Sequence, residues 1–509
     1  MKRYIILPIL TVALTAQAQD SYMNERITNS SSDVIGTARY VGMGGALGAL
    51  GADISVISWN PAGIGLYRKN DIAFTFGGLW GKSYIEEENR GTGTVDQAGF
   101  VYNIKTGSES VPYVNFSFNY QKKINFNHNF YADNLNLGGL SQMDQLAQLT
   151  EYYQAQDKPQ NLTELALTNN GEGMFFDVND LYNPLRSYSN NYTHHSEGSL
   201  QSFDFNLSTN INNRVFLGLT IGIDNMRYRG WYDYKEFGDN WSYCLQDDDI
   251  YISGTGVNVK LGTIIRPIED NPFRFGLTVE TPTWYHLKRG SYFYFYEEEN
   301  GMKIGNKDGD SFLEFNLRSP WKFRAGIGST IGTTLAWDVD YEYATYGNAS
   351  LSYPGGSKDV AMNQMTRDNL RGTHTLRVGL EANATKNLAF RLGYNLSTSA
   401  YNKHISFDQY YLNSYARDFA SSTSYMRMGA TNILTLGMGY HWKSFYIDLA
   451  YKLRNQFGDF YAFDTGFANS EKGDNVFLGI NPELADKTID PVEVNLTRHA
   501  ITCTLGFKF

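Results

Sequence analysis

The clearest feature of the chain is a strict alternation of apolar with small or polar residues, repeated in many segments after residue 70. One segment places Leu388, Phe390, Leu392, Tyr394 and Leu396 at alternate positions, with Ala389, Arg391, Gly393 and Asn395 between them. Similar alternation occurs near 215–223, 335–343 and 445–453. A period of two predicts β-strands with one apolar face. In a soluble sandwich that face would meet a second sheet, so alternation alone leaves the environment open.

The spacing of the segments narrows the choice. We predict fourteen strands, near 71–80, 111–121, 125–134, 199–210, 214–228, 253–266, 272–286, 310–331, 333–346, 371–383, 387–398, 429–441, 444–455 and 497–509. Short turns at 121–125, 211–213, 267–271, 331–333, 384–386 and 441–444 alternate with long loops at 81–110, 135–198, 229–252, 287–309, 347–370, 399–428 and 456–496. An even strand number with this alternation is typical of bacterial outer-membrane barrels, whose turns are periplasmic and whose loops are extracellular. The predicted fold class is therefore an all-β, transmembrane antiparallel barrel.

The last predicted strand supports closure of the barrel, which lipid requires because it cannot satisfy the backbone groups of a sheet edge. Ile501, Cys503, Leu505, Phe507 and Phe509 share one face of this strand. An aromatic last residue is typical of barrels whose final strand is read by the outer-membrane assembly machinery, which we expect as a partner through Phe509. On this register Cys503 faces lipid, whereas Cys244 is expected in an extracellular loop, so the two cysteines should not pair.

Composition agrees with a barrel in lipid. Aromatic residues make up 15% of the 509 residues and charged residues 19%, with 49 glycines. The mean hydropathy is −0.40, and only residues 5–14 form an apolar run, which excludes a bundle of membrane-spanning helices. The net charge of −10 argues against a nucleic acid partner.

The N-terminus predicts export. Lys2 and Arg3 precede an apolar stretch at 4–14, and Ala16-Gln17-Ala18 supplies a small-residue cleavage site. We therefore divide the chain into a signal peptide (1–18), an N-terminal hatch or plug (19–70) and a fourteen-stranded barrel (71–509), located in the outer membrane and expected as a monomer.

Residues 19–70 do not follow the barrel pattern, and they carry three short motifs. These are Ile35-Gly36-Thr37-Ala38-Arg39, Gly42-Met43-Gly44-Gly45-Ala46 and Trp59-Asn60-Pro61-Ala62-Gly63. A phosphate-binding loop is disfavoured, since no strand precedes the glycines and no Lys-Ser/Thr follows them. A fourteen-stranded barrel is too wide to be filled by its own side chains, so a compact small-residue segment suits a plug.

These motifs resemble the N-terminal hatch of the FadL/TodX family of outer-membrane transporters for hydrophobic compounds. Thr281-Pro282-Thr283-Trp284-Tyr285 and Ser319-Pro320-Trp321-Lys322-Phe323-Arg324-Ala325-Gly326 also match patterns of that family. The resemblance implies a plugged barrel that takes up long-chain fatty acids or other apolar molecules by passive, ligand-gated diffusion. It implies Gly42, Gly44, Gly45, Asn60, Pro61, Ala62 and Gly63 as hatch residues, lateral exit at a kinked strand, and no cofactor. The third strand, near 127–133, would contain the kink.

Two extracellular segments could line an apolar capture groove. Leu140, Met143, Leu146 and Leu149 recur at helical spacing in the second long loop. Trp284 and Tyr285 end the predicted seventh strand, and Phe293 and Phe295 belong to an aromatic stretch in the loop that follows it. Packing of both segments against other loops is an equally good interpretation.

Charged residues on the lumen face have mixed signs, which suggests a network that holds the plug. The predicted lumen-facing charges are Asp204, Asp224, Lys260, Arg266, Arg274, Glu280, Arg324, Asp338, Asp340, Glu342, Arg377, Glu381, Arg391, Asp448, Lys452 and Arg498. Arg324, Arg377 or Arg391 could bind a ligand carboxylate bidentately. Pairing between plug and wall is the simpler interpretation of each.

Catalytic and metal sites have weak support in the sequence. His194 and His195 are expected in a solvated loop, and 247–249 and 306–310 in acidic turns without a complete Ca²⁺-binding loop. We therefore expect no enzyme activity and no metal. The partners we expect are a small hydrophobic ligand, the lipid bilayer and lipopolysaccharide. The competing functions are a surface receptor for an apolar ligand such as haemin, and a general diffusion porin.

Overall fold

The computed structural model describes residues 33–82, 92–134, 136–141, 187–238, 242–299, 302–402, 425–463 and 489–509. Within these residues the strands are β1 (Asp71–Lys82), β2 (Thr92–Lys105), β3 (Tyr113–Asn125), β4 (His128–Asn134), β5 (Ser189–Ile211), β6 (Val215–Phe237), β7 (Ser242–Ile265), β8 (Arg274–Glu280), β9 (Trp284–Glu299), β10 (Met302–Arg318), β11 (Lys322–Ile331), β12 (Leu335–Ala344), β13 (Ser350–Ser352), β14 (Thr373–Asn383), β15 (Leu388–Ser397), β16 (Tyr425–Trp442), β17 (Phe445–Tyr461) and β18 (Val492–Lys508). They form one sheet, which closes because β1 pairs with β2 on one side and with β18 on the other.

Four of the strands of the wall are interrupted, each consisting of two successive segments. These pairs are β3 with β4, β8 with β9, β10 with β11, and β12 with β13, and the two segments of each pair contact at least one common neighbouring strand of the wall. The wall therefore has fourteen antiparallel strands, counted below as the first to the fourteenth. The predicted fold class is confirmed.

Two errors in the predicted strand positions cancel in that count. The second wall strand is β2, which lies within the predicted loop 81–110, and the predicted strands 111–121 and 125–134 are two parts of the third wall strand. The prediction missed β2 because a bulge interrupts its alternation: Gln97 pairs with Thr75 and Val95 with Phe76, which leaves Asp96 without a partner on β1. The remaining five short turns connect the strands as predicted.

Several predicted loops are instead continuations of strands beyond the membrane. β5, β6 and β7 contain 23, 23 and 24 residues, and β9 and β10 contain 16 and 17. A bilayer needs only about 10 residues of a tilted strand. The predicted loops 229–252 and 287–309 therefore lie largely in strands. Accordingly, Cys244, the histidine pair and the two acidic stretches are in strands and not in loops.

The wall is apolar outside and polar inside along its turn-side half. Leu388 to Ser397 alternates as predicted, with Phe390, Leu392 and Tyr394 exposed and Arg391 and Asn395 buried. The last strand follows the predicted register, with Ile501 and Leu505 exposed, Thr502 and Thr504 buried, and Cys503 on the lipid side. No helix of the described residues is long and apolar enough to cross a membrane.

Helices are short and few among the described residues. The helix α1 (Ala38–Gly42) and two 3₁₀ helices (Ile54–Ser58 and Pro61–Leu66) belong to the N-terminal segment, which we define as residues 33–70. A third 3₁₀ helix (Tyr346–Asn348) and the helix α2 (Val360–Asn369) lie at the loop side of the ninth and tenth wall strands.

Candidate functional site

The N-terminal segment lies inside the ring of strands. It contacts inward-facing side chains on many of them: Ala38 N donates to Thr504 Oγ1 at 2.7 Å, Arg274 donates to the Leu50 carbonyl at 2.6 Å, and Asn115 donates to the Ile64 carbonyl at 3.0 Å. The segment occupies the half of the lumen nearest the short turns.

Two carboxylates on β12 bind the middle of the segment. Asp338 and Asp340 are two positions apart, so both side chains point inward. Asp338 Oδ2 accepts from the backbone N–H groups of Ala49 and Leu50, at 3.1 and 2.7 Å. Asp340 Oδ2 accepts from the N–H of Gly48 at 2.8 Å. These charge-assisted bonds satisfy backbone donors that are removed from water.

Trp59 joins this site to two arginines. Its indole Nε1 donates to Asp340 Oδ2 at 3.0 Å, and its ring lies 3.6 Å from the guanidinium carbon of Arg377 and 4.4 Å from that of Arg324. Arg324 also donates to the Trp59 carbonyl at 3.2 Å. A buried indole between two cations gains from the negative face of its ring.

Glycines of the wall provide the space that the segment needs. A Cβ on Gly393 would collide with the backbone of Gly44, and one on Gly218 would collide with Pro61. Gly262 faces Asn60 and Pro61 in the same way, and Gly218 pairs with Gly262 across β6 and β7. Inward-facing glycines are therefore the docking positions of the segment.

The predicted hatch residues have structural roles that suit this close packing. Gly44 and Gly45 have φ of 65° and 78°, a conformation that favours glycine. Asn60 caps the second 3₁₀ helix by accepting from Ala62 N at 3.2 Å, with Pro61 in its first turn. Gly42 approaches Gly437, and Gly63 approaches Gly51 and Val56.

The candidate arginines all contact protein groups. Arg324 forms ion pairs with Glu280 at 2.5 Å and Glu342 at 2.6 Å. Arg391 pairs with Glu381 at 2.7 Å and Asp448 at 2.5 Å. These two therefore act in the predicted charge network, and binding of a ligand carboxylate stays a prediction.

Arg377, the third candidate, contacts the N-terminal segment directly. It donates to Tyr40 Oη at 2.6 Å and to the Gly45 carbonyl at 3.2 Å. Arg377, on β14, is also the register partner of Asp340 on β12. Its described contacts are thus those of a side chain that holds the segment.

The N-terminal segment is also held by ion pairs of its own. Arg39 pairs with Glu381 at 2.9 Å and donates to the Ala52 carbonyl at 2.8 Å. Burial alone would lower the pKa of Arg39, but the carboxylate of Glu381 outweighs it and raises that pKa above its ordinary value. Asp33 pairs with Lys452 at 2.6 Å.

Above the segment, the loop-side half of the lumen holds what we call the luminal apolar cluster. It is a continuous group of buried side chains that includes Phe126, Phe130, Leu140, Tyr192, Leu200, Met226, Tyr228, Tyr232, Ile250, Tyr285, Leu287, Phe315, Met428 and Phe460. Tyr192 and Phe460 have ring centroids 4.7 Å apart, and Phe130 lies 5.3 Å from Phe460. The lumen thus combines an apolar region on the loop side with a turn-side region that is lined by buried polar side chains and filled by the N-terminal segment.

The structure brings together only some of the residues that were predicted to line an apolar capture groove. Leu140 and Tyr285 are buried in the luminal apolar cluster, whereas Trp284 is 52% exposed on the outer wall, because neighbours on a strand point to opposite faces. Phe293 and Phe295 lie in β9, and their side chains fall outside the described residues, as do Met143, Leu146 and Leu149 altogether.

The wall has a notch between the second and third strands. Among the described residues, pairing of β2 with β3 ends at Gln97 and Gln121, although β2 continues to pair with β1 up to Thr92. The third wall strand breaks at 126–127, close to the predicted kink, and its second part turns toward β17, where Phe130 meets Phe460. Gln121 donates to the Ile35 carbonyl, so the start of the N-terminal segment borders the notch.

The sequence did not reveal the pairing of Trp59 with Asp340 or the docking glycines. Gly379 and Gly393 pair directly across β14 and β15, and each occupies an inward position in an alternating strand. A glycine at a polar position of an alternating strand is the sequence signal by which the docking glycines could have been predicted.

Among the described residues, no group of three or more His, Cys, Asp or Glu side chains is placed to hold a metal ion.

A closed wall that is apolar outside, with a lumen that encloses the chain's own N-terminal segment, defines a transmembrane β-barrel with an internal N-terminal segment. The structure of a Pseudomonas aeruginosa FadL homologue is similar, with a TM-score of 0.52 at 12% identity, covering 93% of this chain and 98% of that one. The Pseudomonas putida toluene transporter TodX (TM-score 0.48, 10% identity, 94% and 99% covered) and the Ralstonia pickettii toluene transporter TbuX (0.47, 12%, 94% and 99%) are also similar.

At 12% identity, the similarity to the Pseudomonas aeruginosa FadL homologue shows that the two chains share a fold. The resemblance to the FadL/TodX family is thus confirmed at the level of architecture. Comparison with protein-family models and with curated proteins finds no match.

Proposed function

We propose that this protein is exported by the signal peptide at 1–18, inserts in the outer membrane, and carries hydrophobic compounds across it by passive diffusion. The observation that supports this best is the luminal apolar cluster, which lies directly above an N-terminal segment docked across the turn-side lumen. An open aqueous pore would be lined by polar groups along its whole length.

In this proposal residues 19–70 act as the plug. An apolar solute entering from the loop side meets the cluster around Tyr192 and Phe460, and then the ion pairs and buried carboxylates that hold the segment. Moving an apolar molecule past these groups would separate the buried charges from their partners, which is strongly unfavourable. A sideways exit avoids that cost.

The notch between β2 and β3 is the exit that we propose. It is bordered by Asp33 to Ile35, so displacement of this short stretch from Lys452 and Gln121 would connect the cluster to the notch. Ligand binding in the cluster that favours the displaced conformation would gate the path. Long-chain fatty acids and other apolar molecules are the substrates we propose.

Deletion of residues 19–63 tests the plug, with the rest of the chain and the signal peptide retained. We expect uptake of a small polar dye to rise and uptake of a labelled long-chain fatty acid to fall. Normal heat-modifiable migration of the variant in gels would show that the barrel still closes. Unchanged dye and fatty-acid uptake would contradict the proposal.

A cross-link tests the exit. Thr94→Cys with Lys122→Cys, in a chain with Cys244→Ser and Cys503→Ser, places thiols on the two sides of the notch, where Lys122 contacts Thr94. A short bis-maleimide bridge should preserve binding of the fatty acid and block its release into the membrane. Release at the normal rate would exclude this route.

The molecule that co-purifies with the detergent-extracted protein separates the proposal from its alternatives. A fatty acid or similar apolar molecule in the lumen supports transport. Haem bound at the loops would instead support a surface receptor, and free permeation of polar solutes by the intact protein would support a porin.

A further inference from the structure

A buried carboxylate that forms no ion pair stands at the luminal side of the notch. Asp96 is the bulged residue of β2, is 7% exposed, and accepts a hydrogen bond from the hydroxyl of Thr94. Thr94 in turn accepts from Lys122, across the notch. Within the part of the chain that the structure describes, no cation lies within ion-pair distance of Asp96. Burial of a carboxylate is unfavourable unless a cation compensates it, so this residue lowers the stability of the conformation shown.

The wall leaves room for this carboxylate on the side that leads to Lys452. A Cβ on Gly77 of β1 would collide with Asp96 Oδ2, so the carboxylate lies over the backbone of β1. Gly77 pairs with Thr502 on β18, and Thr502 pairs with Ala450 on β17. Ala450 and Lys452 are two positions apart on β17, and both are buried on its inward face. Asp96 therefore reaches past β1 toward the strand that carries the ammonium group.

Lys452 is held by the start of the N-terminal segment. Its Nζ lies 2.6 Å from Asp33 Oδ1 and donates to the Val34 carbonyl at 2.9 Å. Lys452 also attracts the carboxylate of Asp96, more strongly than Lys122 does, whereas Asp33 repels that carboxylate. In this closed conformation one buried ammonium group is within electrostatic reach of two carboxylates, and it is bound to the one that belongs to the segment.

We propose that Asp96 is a positioning residue for the opening of the notch: when Asp33 and Val34 leave, Lys452 turns to Asp96. Lysine suits this exchange because its ammonium group ends a flexible four-carbon stem. Without a second carboxylate, the displacement would leave a buried ammonium group unpaired, which is strongly unfavourable. The exchange keeps one ion pair on Lys452 in both conformations, so the displaced conformation stays thermally accessible.

This inference rests on the proposed function, in which displacement of residues 33–35 opens the path to the notch. Its test measures how often that stretch leaves its site, and it needs neither ligand nor transport. Val34 is fully buried, so the thiol of Val34→Cys should react with a maleimide only when the stretch is displaced. The full-length protein is labelled in detergent and also carries Cys244→Ser and Cys503→Ser.

Asp96→Asn should slow the labelling of Val34→Cys about tenfold or more, because it removes an ion pair from the displaced conformation alone. Val56→Cys is the matched control, since Val56 is equally buried in the first 3₁₀ helix, and Asp96→Asn should leave its labelling unchanged. In a chain with Asp33→Asn and Lys452→Gln, neither partner of the closed ion pair is charged, so Asp96→Asn should have no effect there.

Lys122→Gln separates the exchange from pairing of Asp96 with the other lysine of the notch, and the tenfold effect of Asp96→Asn should persist in it. Unchanged labelling of Val34→Cys in Asp96→Asn would overturn the proposal. So would an equal fall in Val56→Cys, a fall that persists in the neutral background, or an effect that vanishes with Lys122→Gln. Release of fatty acid at the normal rate from the protein with the bridged notch would instead exclude the lateral exit, whatever the labelling shows.

Discussion

Trp59 and Asp340 are 281 residues apart in the chain and are joined by a hydrogen bond of 3.0 Å inside the barrel. The bond links the N-terminal segment to the ninth wall strand at a point where Asp340 also accepts from Gly48. Because the carboxylate is buried, the loss of either donor is not compensated by water.

Trp59→Phe should therefore destabilise the protein while keeping an aromatic ring between Arg324 and Arg377. The expected loss is about 1–2 kcal/mol in the free energy of unfolding, measured by urea titration in detergent. Trp59→Ala should lose about 1–2 kcal/mol more, since the cation–π contacts go with the ring. Trp442→Phe, an exposed tryptophan of the outer wall, should be nearly neutral.

Gly393→Ala should loosen the N-terminal segment, because the added Cβ would meet the backbone of Met43 and Gly44 rather than a side chain that can move. We expect increased entry of a small polar dye and faster proteolysis between residues 33 and 70. Gly78→Ala is the matched control, since its Cβ would meet no atom within 4 Å. Equal behaviour of the two variants would mean that the inward glycines do not hold the segment.

Phe460→Ala should reduce uptake of an apolar ligand without opening the barrel to polar solutes. Phe460 is buried between Tyr192 and Phe130, whereas Phe457, on the same strand, is exposed on the outer face of the wall. Phe457→Ala should thus leave uptake unchanged. A uniform loss in both variants would point to lower amounts of inserted protein, which surface labelling measures.

The ion pair between Asp33 and Lys452 should make the free energy of unfolding depend on pH. Burial alone would raise the pKa of Asp33, but Lys452 and Arg454 outweigh it and hold that pKa below its ordinary range. A carboxyl with a lowered pKa contributes stability above its unfolded value of about 4, and the contribution is lost as the pH falls through the folded pKa.

The difference in unfolding free energy between the wild type and Asp33→Asn should therefore be constant from neutral pH down to about 5 and shrink below about 4. Urea titrations at several pH values measure it. A difference that grew on acidification would have the wrong sign for this ion pair.

The alternation of residues correctly predicted the lipid and lumen faces of the turn-side half. In that half, apolar side chains point outward to lipid and polar side chains point inward to the lumen. On the loop side the rule reverses: in β6, Tyr228 and Tyr232 point inward and Arg227 and Arg229 outward. The strands above the membrane are apolar inside and polar outside. Because the apolar residues shift from the outward to the inward positions there, the alternation seemed to end, and these residues were predicted as loops.

The site was harder to predict than the fold. The motif around Trp59 and the inward direction of Asp340 both follow from local sequence, but their meeting depends on the register of a closed ring. The same holds for Gly44 and Gly393, which are brought together only by the packing of the segment against the wall.

The docking positions of the N-terminal segment also set the order in which the molecule can be built. They are spread from Asn115 on β3 to Thr504 on β18, so the full set does not exist until the last strand has formed. The N-terminal segment, which is synthesised before every strand of the wall, consequently completes its native contacts only after the last strand is in place. The seam between β1 and β18 has to close around it, which makes enclosure of the segment a late step of biogenesis.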